Sequence, residues 1–115
     1  MGDNVYISMF VQTRIPDEAK NLLIEVIGSV GKEVLACTFE KTEPYWKIDG
    51  IMHVESEFSL ASTLSDDERE RFLAFISDKW TCLGNSSYED EVIASKTTEG
   101  CYYMKDGIEM INIVF

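Results

Sequence analysis

Histidine occurs once in this chain, at position 53, and proline twice, while 10 Lys and Arg stand against 21 Asp and Glu in 115 residues, a formal net charge of -11. Each shortage excludes something. Phosphate backbones are gripped by Lys and Arg that displace condensed counterions, so a chain this acidic repels free nucleic acid and anionic membrane surfaces. The three cysteines, Cys37, Cys82 and Cys101, are odd in number and far apart, the wrong arithmetic for a disulfide framework, and reduced thiols are expected. No Gly-, Ser- or Pro-rich linker divides the chain, and no apolar run approaches the ~18 residues of a membrane span. Met1-Gly2-Asp3-Asn4 lacks the basic start and apolar core of a secretory leader. The expectation is one cytoplasmic domain over residues 1–115.

What is present is acidity spread through a foldable chain. Residues 1–57 carry 10 acids and 5 bases and the remainder 11 and 5, so the charge belongs to the domain rather than to a tail. A hydrophobic content of 45% is enough for a core without staples.

The apolar spacing predicts elements in order. Val5 to Val11 reads as a central strand, with Val5, Ile7, Met9 and Val11 on one face and Tyr6, Ser8 and Phe10 on the other. Pro16 opens a helix whose stripe is Ala19, Leu22, Leu23, Val26, Ile27 and Val30, and Gly28 and Gly31 stop it. Val34 to Glu40 alternates, and Leu35, Cys37 and Phe39 in phase point to a core thiol. Pro44 then breaks the run before a short edge segment at Tyr45 to Ile48 and a hairpin turn at Asp49-Gly50. Ile51 to Leu60 places Met52, Val54, Phe58 and Leu60 inside and His53, Glu55 and Glu57 on a wet face. Ser65-Asp66-Asp67-Glu68 is a capping box for a helix to about Trp80. Glu91 to Lys96 and Ile108 to Phe115 are strands, with a hairpin-type turn at Asp106-Gly107. The order β-α-β-β-α-β-β predicts an α+β fold of the split β-α-β, ferredoxin-like kind. That is a two-layer sandwich whose antiparallel sheet has an added C-terminal strand and one open face.

Motifs for chemistry mostly fail on their spacing. His53, Glu55 and Glu57 share a strand face about 7 Å apart, near enough for a metal or acid–base site if neighbours complete it, yet any solvated strand looks like this. His53-Val54-Glu55 matches the H-x-E of zinc deaminases, but no P-C-x-x-C follows. Gly28-Ser29-Val30-Gly31 ends a helix instead of opening one and has little basic company. Tyr6 and Phe10 have the placement of an RNA-stacking platform without its basic surround. No catalytic residue, metal or cofactor is expected.

Two segments combine aromatic anchors with carboxylates. Glu43, Tyr45, Trp46 and Asp49 lie in one, and Tyr88, Glu89, Asp90 and Glu91 in the other. Tyr and Trp carry large contact area at low entropy cost, so they suit an interface, although Trp46 could instead fold over the sheet edge to close the core. With Glu55 and Glu57 these residues form a candidate surface for a basic protein.

In length, acidity and lack of catalytic motifs, the chain resembles the small acidic cytoplasmic immunity proteins that accompany bacterial toxins of contact-dependent growth inhibition and related polymorphic toxin systems. That resemblance rests on no signature motif and implies no site residues. It implies one-to-one binding to a cognate basic toxin domain, often a nuclease, by covering its active site or a surface beside it, without catalysis, nucleic-acid contact or membrane contact. Two other expectations stand beside it. One is a small enzyme or ligand-binding domain centred on His53, Glu55 and Glu57. The other is a homodimer through the apolar run Met110-Ile111-Asn112-Ile113-Val114-Phe115, which could equally be a buried strand.

Overall fold

A computed structural model describes residues 4–82 and 91–115, and the fold is α+β with two helices and one six-stranded antiparallel sheet. In chain order the elements are β1 (Asn4–Val11), α1 (Pro16–Gly28), β2 (Val34–Pro44), β3 (Met52–Leu60), α2 (Asp66–Ile76), β4 (Thr81–Cys82), β5 (Glu91–Ser95) and β6 (Ile108–Val114). Across the sheet they run β2-β3-β1-β6-β5-β4. The apolar C-terminal run is therefore a buried strand, the alternative to a dimer seam. β6 sits inside the sheet between β1 and β5, and the edge strands are β2 and the two-residue β4.

Strict alternation builds the inner face. Val5, Ile7, Met9 and Val11 of β1 and Met52, Val54, Phe58 and Leu60 of β3 are buried, and they join Ala19, Leu23, Val26 and Ile27 of α1 and Phe72 and Ile76 of α2 in one core. Ser56, in the same phase, is fully buried, and its hydroxyl donates to the Thr38 carbonyl at 2.9 Å. β6 breaks the period: Ile108, Ile111 and Ile113 are its core residues, an odd step that a bulge absorbs where Phe10 pairs with Met110 but Val11 with Ile108.

Both helix starts follow the sequence. Pro16 occupies the first turn of α1 with Asp17 and Glu18 at the positive end of the dipole. At α2 the capping box closes in both directions: Glu68 N–H donates to Ser65 Oγ at 3.2 Å, and Ser65 N–H donates to Glu68 Oε1 at 2.9 Å. The end of α2 differs from expectation. The helix stops at Ile76 because buried Ser77 leaves it to bridge Met104 and donate to the Tyr103 carbonyl at 3.0 Å. Trp80 folds back beyond the end, its indole N–H shared between the carbonyls of Leu73 and Ser77.

β2 departs furthest. It runs through to Pro44, and residues 45–50 are a loop rather than an edge segment, closed by Tyr45 N–H to the Ile51 carbonyl at 2.8 Å with Gly50 at φ +84°. Cys37 is exposed and Leu35 is 65% exposed, so the expected core thiol is absent. The strand lies at the sheet margin and is bulged at Val34/Ala36 and Phe39/Lys41, and α1 only partly covers it. The Asp106-Gly107 turn, with Gly107 at φ +90°, ends the 96–107 connection instead of closing a tight hairpin. Among the described residues no helix is long and apolar enough to cross a membrane.

Candidate functional site

The helices take one sheet face, and the out-of-phase residues build the other. The register places Glu43, His53, Phe10, Met110 and Ser95 in one cross-strand row, then Lys41, Glu55, Ser8, Asn112 and Ile93, then Thr38, Glu57, Tyr6, Val114 and Glu91. Most are half-buried, so the face is a mixed apolar and acidic surface rather than a fully wetted one.

His53 lies near its centre. The imidazole stacks on Phe10, with ring centroids 4.4 Å apart and planes within 5°, and Tyr45 meets Phe10 edge-on at 4.7 Å. His53 Nε2 is 2.9 Å from Ser8 Oγ and 3.2 Å from Glu55 Oε1. A hydroxyl–imidazole–carboxylate relay needs the hydroxyl and the carboxylate on opposite ring nitrogens. Here both meet Nε2, which suits a ring N–H shared between two acceptors and not proton transfer through the ring. Burial and then the Lys41 ammonium push the imidazole below its ordinary value of 6.5, with Glu43 opposing. The ring is thus neutral at physiological pH.

Lys41 takes up part of the negative charge, lying 3.6 Å from Glu55 and 3.7 Å from Glu43. Glu91 accepts from the neutral Asn112 amide at 2.9 Å, and Glu109 accepts from the neutral Gln12 amide. Among the described residues, no cation lies at ion-pair distance from Glu57, Glu91 or Glu109. No three of His, Cys, Asp and Glu among the described residues are grouped so as to hold a metal ion.

The expected interface residues divide. Glu43, Glu55, Glu57 and Glu91 share the open face, and Tyr45 packs at its margin. Glu57 and Glu91 fall in one row with Tyr6 and Val114 between them, roughly 14 Å apart at ~4.8 Å per strand. Trp46 neither closes the core nor joins the face: it is 83% exposed, with Lys47 Nζ 5.1 Å from its ring centre. Asp49 is paired with Arg14 in the loop beyond the rows. Tyr88, Glu89 and Asp90 lie outside the described residues.

Sequence reasoning missed a groove at the Phe10 end of the face. Phe10, Tyr45, Ile48, Ile51, Ser95, Thr97, Glu109 and Met110 enclose about 320 Å³, with walls mainly apolar. Consecutive residues Glu109 and Met110 both line it because the bulge of β6 against β1 interrupts alternation there. The odd spacing of Ile108 and Ile111 was the signal for that bulge. No family model matches the chain, and neither does any curated protein or solved structure.

Proposed function

We propose that this chain is an inhibitor that acts by occupancy, an immunity-type protein whose open sheet face docks one-to-one on a cognate basic toxin domain. The partner in this reading is a nuclease, whose active site must be positive to hold nucleic acid, and the acidic face covers that site or the surface beside it. One observation carries the proposal. Glu57, Glu91 and Glu109 surround an aromatic and aliphatic centre, and among the described residues no cation lies at ion-pair distance to balance them. Such a layout of apolar anchors within uncompensated charge is what a desolvated, electrostatically steered interface requires. His53 then serves as a neutral packing element beneath the surface instead of a reacting group.

A split β-α-β, ferredoxin-like arrangement is the fold reading that accompanies this function. Support comes from the central order β2-β3-β1-β6, with β5 and β4 added outside β6. The cytoplasm is the proposed compartment, and the single-chain face is the proposed working unit. A homodimer through the C-terminal run is disfavoured by the burial of Ile111 and Ile113 within the sheet.

The test is to immobilise the chain, pass host extract over it at low and high salt, identify the retained protein, and measure its nuclease activity with and without the inhibitor. The double variant Glu57→Lys/Glu91→Lys is expected to weaken binding at least tenfold, about 1.4 kcal/mol, and to flatten the salt dependence. Equal affinity for both forms at every ionic strength would remove this face from the interface.

A further inference from the structure

Resting on that reading, we infer that the groove beside Phe10 is an anchor site for a particular kind of protein segment: an extended stretch with an apolar side chain, a cation next to it, and a second cation about four residues away. The groove's floor is Phe10, Tyr45, Ile51 and Met110, and Ile48, 55% exposed, stands at its rim. At about 320 Å³ it lies at the small end of ligand pockets, the size for a side chain rather than an extended cofactor.

Its second feature is the carboxylate that the bulge delivers. Regular alternation would turn residue 109 away from the face that Met110 lines. Instead Glu109 stands in the groove wall, accepting from the Gln12 amide and with no cation at ion-pair distance among the described residues. An aliphatic or aromatic side chain entering the groove thus brings its neighbouring residue to an unbalanced negative charge. Four residues along β1, Tyr6 lies between Glu57 and Val114, with Glu91 beyond them. That is about 13 Å from Phe10 at ~3.3 Å per residue. A small amine reaches one of these charges. A peptide strand reaches both, its cations spaced as the carboxylates are, and this favours a protein segment as the occupant.

The probe is an amidated hexapeptide, Ser-Leu-Arg-Ser-Ser-Arg, titrated into the 15N-labelled chain alongside two controls, one with Leu replaced by Ser and one with both Arg replaced by Glu. The expected result is saturable shifts at the amides of Phe10, Ile48 and Met110, with affinity at least tenfold above the Ser control and no binding of the Glu control. Glu109→Gln and Ile48→Ser, at a groove wall and an exposed rim where the fold is not at stake, should each reduce the preference for the Leu peptide. If the Leu and Ser peptides bind alike and the Glu peptide does not, the anchor inference fails while the acidic-face reading stands. Absence of binding by all three overturns the anchor inference, and the acidic face is then judged on the Glu57→Lys/Glu91→Lys capture.

Discussion

His53 shows how one side chain's neighbours decide its role. Ser8 and Glu55 hold Nε2, Phe10 covers the ring, and Lys41 and Glu43 face it from β2. Glu55, though close, is shared with Lys41, and burial keeps the imidazole neutral. The sign follows. A histidine with its folded value below the unfolded 6.5 contributes stability that is whole above pH 6.5 and is lost as pH falls through the folded value. An NMR titration should give a midpoint below 6.5, and Lys41→Met should move it upward by removing the repelling ammonium. A midpoint above 6.5 in the parent chain would contradict this environment. From the sequence, His53, Glu55 and Glu57 were legible as a shared face. That Lys41 would neutralise part of it was not, because Lys41 reaches Glu55 only after the Phe39/Lys41 bulge shifts β2.

Among the elements, α2 has the most explicit start. Its capping box satisfies two end groups, and Glu68 also reaches Lys32 at 2.7 Å, tying the helix to the turn after α1. That ion pair, then the Ser65 backbone N–H, lowers the Glu68 carboxyl to about 2. Its contribution is present above the unfolded value near 4.5 and fades as pH falls toward 2. Ser65→Ala should cost about 1 kcal/mol in urea unfolding at neutral pH, and an unchanged midpoint would mean that the cap is not limiting. Helix starts were readable because capping and Pro16 are local chemistry. The end of α2 was not, since Ser77 bonds to a segment 26 residues away. Cys37 was misplaced for a related reason: alternation identifies the faces of a strand but not whether the strand lies at the margin of its sheet.

At the scale of the molecule, a charge of -11 acts in two directions. Like charges confined to one compact domain repel, and salt that shortens the screening length from ~30 Å at 0.01 M to ~8 Å at 0.15 M relieves the repulsion. Thermal unfolding of the free chain should therefore rise by a few degrees over that range, since about 1 kcal/mol moves Tm by roughly 4–6 °C at this size. Binding to the proposed basic partner should weaken over the same range. A Tm indifferent to salt would show that the acidic groups are too dispersed to interact. The α+β class, the order of the long elements and the burial of the C-terminal run were legible from periodicity, whereas the pairing of β6 with β1 and β5 is encoded by no local pattern.

That pairing has a consequence for how the protein is made. β1 is flanked by β3 and β6, and Tyr6 lies opposite Val114, so β1 must await a partner made roughly a hundred residues later. At ~5–20 residues per second the interval is about 5–20 s. During it, one hydrogen-bonding edge of β1 is open on the ribosome, an unfinished sheet that a chaperone can cover.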